Sequence, residues 1–98
     1  MKTNALLMHE ADNVVTCVVA VSRGAEVVYL AGGGLKVLTA EEDIPYCHKI
    51  ALTDIAPGQD ITKYGEMIGR ATTPIKKGCW VSHENIVSVP RDYDSEMI

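Results

Sequence analysis

Between residues 44 and 81 one short phrase, apolar-x-x-Gly-x-x-apolar, recurs as Ile44-Pro45-Tyr46-Cys47-His48-Lys49-Ile50, Ile55-Ala56-Pro57-Gly58-Gln59-Asp60-Ile61 and Ile75-Lys76-Lys77-Gly78-Cys79-Trp80-Val81. A fourth copy stands upstream as Val21-Ser22-Arg23-Gly24-Ala25-Glu26-Val27. Glycine supplies the positive φ that many tight turns require, and the β-branched ends favour extended backbone. Each copy therefore reads as strand, turn, strand. Cys47 stands where the other copies hold glycine, which predicts that a conformational role has been replaced there by a side chain. Tyr46-Cys47-His48-Lys49 is accordingly the first place to look for chemistry.

Upstream, Ala5-Leu6-Leu7-Met8-His9 is a short apolar segment leading into a turn at Glu10-Ala11-Asp12-Asn13. The apolar run from Val14 to Val21 is open, on periodicity alone, between a buried strand and the start of a helix. Its valines favour the strand, although Asp12 is of a type that caps a helical turn. Glu26 to Leu30 and Leu35 to Thr39 read as two strands around Gly32-Gly33-Gly34. No G-K-[ST] and no helical pattern follow those glycines, so they read as a hairpin tip and not as a phosphate cradle. Downstream, His48 to Leu52 and Asp60 to Lys63 alternate apolar and polar residues at period two, as half-buried strands do. Tyr64-Gly65-Glu66 is a turn and Met67 to Ala71 is extended. Trp80 to His83 and Ile86 to Val89 close the domain, and Pro90 ends the last strand. The expectation is an all-β domain over residues 1–89, built of short strands and long folded hairpins with at most one or two short helical turns. Residues 90–98 are expected to form a mobile tail.

The chain has 98 residues, room for one core, and 47% of them are hydrophobic with no Phe, so that core is aliphatic. The net charge of −4 and the lack of a basic run argue against nucleic-acid binding; the adjacent pair Lys76-Lys77 reads as a solvated turn. Cys17, Cys47 and Cys79 are odd in number and widely spaced, which fits neither a disulfide framework nor a zinc site. Reduced thiols, no signal-peptide pattern and no apolar run of membrane-spanning length together predict a cytoplasmic protein that does not enter the membrane.

Four groups could carry chemistry: His48-Lys49 after the odd cysteine, Lys63-Tyr64-Gly65 at a turn, His83 with Asn85, and His9 with Asp12-Asn13. A Lys and a Tyr beside a turn bind a carboxylate or polarise a hydroxyl, and His exchanges protons near neutral pH. Taken singly, Lys49 and Lys63 read equally well as surface charges and Tyr64 as a packed ring. Residue types alone thus define an all-β module with a polar, anion-binding edge. The three His with Cys47 or Cys79 are enough metal ligands in number, but none of them share a close spacing on one element. Cys47 has no activating motif beyond His48 and Lys49.

Three strings then carry a resemblance. His48-Lys49-Ile50-Ala51-Leu52-Thr53-Asp54-Ile55-x-x-Gly58 is followed by Ile61-x-Lys63-Tyr64-Gly65-x-x-Ile68-Gly69-Arg70-Ala71-Thr72-x-x-Ile75-x-x-Gly78, then by Val81-x-x-x-Asn85. With His9-x-x-Asp12-Asn13-Val14 upstream, they resemble the small domain of the altronate and galactarate dehydratase family over residues 5 to 88. The resemblance implies a SAF-type β-clip fold, similar to the antifreeze-like domain of sialic acid synthases. It implies a small subunit of a sugar-acid hydro-lyase that acts with a separate large catalytic subunit. A divalent metal, iron or manganese, would be held mostly by that large subunit. The alternatives are the small subunit of a sulfolactate sulfo-lyase-like enzyme, or a non-catalytic β-clip module that binds a carbohydrate or carboxylate. On this resemblance His48 and Tyr64 are catalytic candidates, and Lys49, Lys63, Gly65, His83 and Asn85 substrate-binding candidates. His48, Lys49, Lys63 and Tyr64 are expected to converge on one edge of the clip, and the isolated chain is expected to self-associate through an apolar edge. Two positions depart from the family pattern: Cys47 stands for the Gly of G-H-K, and Ser82 and Glu84 stand for the two His of V-H-x-H-N. On a strand, His83 would then face away from the side those His occupy.

Overall fold

In the computed structural model, which describes residues 2–87, the four phrases fold as the same unit. Each turn is closed by its fourth residue's N–H donating to the first residue's carbonyl. The four bonds are Ala25 to Ser22 at 2.9 Å, His48 to Pro45 at 3.2 Å, Gln59 to Ala56 at 3.0 Å and Cys79 to Lys76 at 3.0 Å. The third position has φ of +87° at Gly24, +64° at Cys47, +85° at Gly58 and +88° at Gly78, the left-handed value a type II turn needs. Cys47 thus corrects the sequence reading. Its residue type has changed but its conformation has not, and an L side chain holds that conformation less readily than glycine. The same third-position N–H donates to a small buried residue in every copy: Gly24 to Ala40, Cys47 to Cys17, Gly58 to Ala71 and Gly78 to Ala51.

The leading apolar residues pair with one another, Val21 with Ile44 and Ile55 with Ile75. An aspartate braces each pair: Asp43 accepts from the Arg23 N–H at 2.8 Å, and Asp54 from the Lys77 N–H at 2.9 Å. The strands are β1 (Ala5–Leu6), β2 (Val14–Cys17), β3 (Glu26–Ala31), β4 (Gly34–Thr39), β5 (Lys49–Ala51), β6 (Asp60–Lys63), β7 (Glu66–Ala71), β8 (Trp80–Val81) and β9 (Ile86–Val87). They form a central sheet β1-β2-β5-β8, the hairpin β3-β4 and a three-stranded sheet β6-β7-β9, all antiparallel. No helix occurs among the described residues, as an all-β clip requires.

The core lies in two clusters on the two faces of the central sheet. Val21, Val27, Ile44 and Ile50 enter the first, with Val15, Cys17 and Leu38. Ile55, Ile61, Ile75 and Val81 enter the second, with Val14, Ala51 and Ala71. Every apolar end of the four phrases is therefore buried, two phrases to each cluster. Central β5 is buried on both faces, Ile50 in one cluster and Ala51 in the other, which corrects the half-buried reading of that strand. Likewise β2 stops at Cys17, and Val18 and Val19 are exposed at a bend. The sequence places His83 on a strand, but it lies in a turn that the Asn85 N–H closes onto the Ser82 carbonyl at 3.1 Å. The strand-face argument for His83 therefore does not apply. Ser88, Val89, Pro90 and the expected tail lie outside the described residues.

Three asparagines act as one-residue strands. Each accepts from one N–H and donates to the carbonyl two residues earlier, across the last apolar residue of a phrase. Asn4 does so with Val28 and Glu26, Asn13 with Thr62 and Asp60, and Asn85 with Ser82 and Trp80, all at 2.7 to 2.9 Å. A carboxamide presents one acceptor and one donor in the spacing of a strand edge, so it completes a ladder where no strand is available.

Candidate functional site

Strands β6 and β7 are joined by the two-residue loop Tyr64-Gly65, with φ of +58° and +74°, the mirror-image turn that suits the twist of a hairpin. The loop leaves two N–H groups facing inward, and the Asp12 carboxylate takes both: Tyr64 at 3.0 Å on Oδ2 and Gly65 at 2.8 Å on Oδ1. Asp12 is itself buried. Instead of capping a helix, it fixes the hairpin tip with two charge-assisted bonds. His9 completes the support. Its Nδ1 accepts from the Ala11 N–H at 3.0 Å, and its ring lies against Gly65 so closely that a Cβ there would stand 3.1 Å from it. Two groups far apart in sequence, His9-Asp12 and Lys63-Tyr64-Gly65, are thus one assembly. Tyr64 is exposed, and the Lys63 ammonium lies 5.2 Å from its ring centroid.

Lys49 stands on the central sheet. It pairs with Thr16 on one side and Val81 on the other, so these three side chains share the face that carries the second cluster. Burial, and then the nearby Lys63 ammonium, hold the Lys49 amine below its ordinary value. The two lysines do not meet by direct pairing of their strands, since β5 lies between β2 and β8 while β6 pairs with β7. Asn13, on the approach to β2, holds the backbone of β6 beside the central sheet.

His48 stands elsewhere. It is exposed, its ring meets the Trp80 indole edge-on at 5.2 Å between centroids, and the indole N–H donates to its Nδ1 at 3.1 Å. Indole nitrogen is only a donor, so the neutral imidazole carries its proton on Nε2. Trp80 packs on the first cluster, on the other face of the central sheet from Lys49. Among the sequence candidates, then, Lys63, Tyr64 and Gly65 form one assembly with Asp12 and His9, while Lys49 stands on the central sheet between Thr16 and Val81. His83 is exposed in its turn, and the Asn85 carboxamide is occupied by backbone. Ser82 receives the Glu84 N–H on its hydroxyl at 3.2 Å, so the residue departing from the family pattern shapes this turn. Thr16 is invisible in the sequence, where a threonine in a valine-rich strand carries no signal beyond β-propensity.

Burial raises the pKa of the Cys17 thiol to about 11, and burial followed by Glu42 raises that of Cys79. No group of three or more His, Cys, Asp or Glu side chains able to hold a metal occurs among the described residues. Nor is any helix among them long and apolar enough to cross a membrane.

Short antiparallel sheets and folded hairpins around two aliphatic clusters are the architecture of a β-clip domain. The sequence pattern of the altronate/galactarate dehydratase SAF domain matches residues 3–89, and the chain belongs to that family. It is 34% identical over 80 residues to the galactarate dehydratase (L-threo-forming) of Escherichia coli (strain K12), across 82% of this chain and 14% of that protein. It is likewise 34% identical over 87 residues to the altronate dehydratase of the same organism, across 89% of this chain and 17% of that protein. The chain therefore spans less than a fifth of the length of these relatives.

Proposed function

We propose that this chain is the small component of a cytoplasmic sugar-acid hydro-lyase and acts with a separate catalytic polypeptide that supplies the divalent metal, iron or manganese. One observation supports the reading: Lys49 stands half-buried beside Thr16 and Val81 on the face of the second cluster, and burial first, then the Lys63 ammonium, disfavour its charge. Two like charges held together are stabilised by an anion between them. Elimination of a β-hydroxyl next to a carboxylate needs that carboxylate held and the enediolate charge stabilised while a base removes the α-proton. Lys49 and Lys63 would hold the carboxylate, and the Tyr64 hydroxyl would donate to a substrate oxygen. Asp12 would keep the Tyr64 backbone in place. The base and the metal would come from the catalytic polypeptide. His48 does not belong to this carboxylate seat, because its imidazole is turned to Trp80.

The test is to co-produce this chain with a large dehydratase-like polypeptide from the same genome and to assay altronate, galactarate and sulfolactate. Turnover of a sugar acid is expected only when both polypeptides are present, and Lys63→Ala should lower it at least tenfold while association is unchanged. Sulfite release from sulfolactate would move the assignment to a sulfo-lyase. Carboxylate binding by the isolated chain, with no partner and no turnover, would leave a non-catalytic binding module.

A further inference from the structure

Among the described residues, one buried side-chain oxygen or nitrogen has no hydrogen-bond partner: the Thr16 hydroxyl. A hydroxyl in that state is unfavourable, and native proteins seldom keep one without a use. Thr16 lies directly opposite Lys49 in the β2–β5 pairing, on the face that carries Val14, Ala51 and Val81. Lys49 is itself half-buried, and burial first, then the Lys63 ammonium, disfavour its charge. The described residues contain one ion pair, Arg70 with Asp60, and neither lysine takes part in it.

We propose that Thr16, Lys49 and Lys63 form a single carboxylate seat, in which the Thr16 hydroxyl donates to an oxygen of a carboxylate held by the two ammonium groups. The seat rests on the reading of Lys49 and Lys63 as carboxylate anchors and adds a third, neutral donor to it. A carboxylate offers acceptor positions on both oxygens, enough for two ammonium groups and one hydroxyl at once. Binding would resolve three unfavourable features together: the repulsion between the lysines, the burial of the Lys49 charge and the unpaired hydroxyl. The Lys49 side chain, flexible and directly opposite Thr16, is the group that must swing to admit the ligand. In the free chain the hydroxyl is a liability; in the bound chain it is a donor.

That contrast predicts effects of opposite sign from one substitution. Thr16→Val keeps the shape and removes the hydroxyl, so in the absence of ligand it should raise the urea midpoint of the isolated chain. In a titration with galactarate, followed by NMR at the ε-methylene groups of Lys49 and Lys63, it should weaken half-saturation by about tenfold. Thr16→Ser, which retains the hydroxyl, should bind within about twofold of wild type. A lowered midpoint in Thr16→Val would show that the hydroxyl already has a partner in the free chain and would overturn the seat. Unchanged half-saturation in Thr16→Val would overturn it as well, as would failure of galactarate to shift either lysine of the wild-type chain. Dehydratase turnover is read separately: a seat that behaves as described in an assembly without turnover leaves this inference standing and removes the hydro-lyase reading.

Discussion

The two hairpins, β3–β4 and β6–β7, begin from the same phrase and end as different surfaces. Each follows a type II turn, each is held at its base by an asparagine, and each closes on a two-residue loop with both φ values positive. The residue before Asn13 is Asp12, which seizes the tip of β6–β7. The residue before Asn4 is Thr3, and the β3–β4 tip, Gly32-Gly33, has no protein atom near the position a side chain would take. In place of an anchor there is an apolar groove of about 270 Å³ lined by Thr3, Ala5, Leu6, Leu7 and Leu30. The cross-strand pairs Val28–Val37 and Leu30–Leu35 share one face of β3–β4, and Leu30, Leu35 and Val37 remain exposed on it. One internal repeat has thus produced a pinned polar tip that carries Lys63 and Tyr64, and a free aliphatic one. A repeated backbone fixes the path of the chain, but the few side chains just before each asparagine decide what the path presents.

Removing the anchor should separate the hairpins most. Asp12→Ala strips two charge-assisted bonds from buried amides and should destabilise the chain by about 3 kcal/mol in urea unfolding. Thr3→Ala, its counterpart, should stay within about 0.5 kcal/mol. Equal losses would show that the two tips are held alike. At the loops, Gly65→Ala should cost about 2 kcal/mol, because it meets both an unfavourable φ and the His9 ring. Gly33→Ala meets only the unfavourable φ and should cost about 1 kcal/mol.

On the aliphatic hairpin, Leu30→Glu combined with Leu35→Lys should change stability by no more than about 0.5 kcal/mol, since both side chains already face solvent and the opposed charges are of opposite sign. The sequence content predicts self-association of the isolated chain at high concentration. Sedimentation should show that this double substitution suppresses it, whereas Lys49→Ala does not. The smallest effect concerns pH. Because the Lys49 amine is lowered in the folded chain, the unfolded chain binds more protons between that lowered value and 10.5, and stability should rise with pH across this window. Lys63→Met should flatten the rise. The change should be only about 0.3 kcal/mol, because Lys49 is only half-buried and solvent screens it. A steeper rise in the variant would show that Lys63 is not the neighbour responsible.

Much of this architecture is legible from spacing. Glycine three residues after a β-branched position, with another β-branched residue three further on, marks a turn between two extended ends. Such local rules hold because positive φ and β-branching act within a few bonds of their own residue. That is why the four turns, the two hairpin tips and the all-β class can be read directly, and why Cys47 stands out although its retained conformation does not. The lysines of the candidate site are also legible as residue types beside turns.

Their neighbours are not. His48 and Lys49 are adjacent in sequence, yet lie on opposite faces of the central sheet, because successive side chains in extended backbone alternate. The paths that join Lys49 to Lys63, Asp12 to the Tyr64-Gly65 amides and Thr16 to Lys49 span from 14 to 53 residues. No local rule reaches that far. The phrase determined that eight apolar side chains would point inward from four turns. How those turns divided between two clusters, which carboxylate found which amide, and which hydroxyl was left without a partner were settled only when the sheets packed, because hydrogen bonding and burial depend on what the rest of the chain brings alongside.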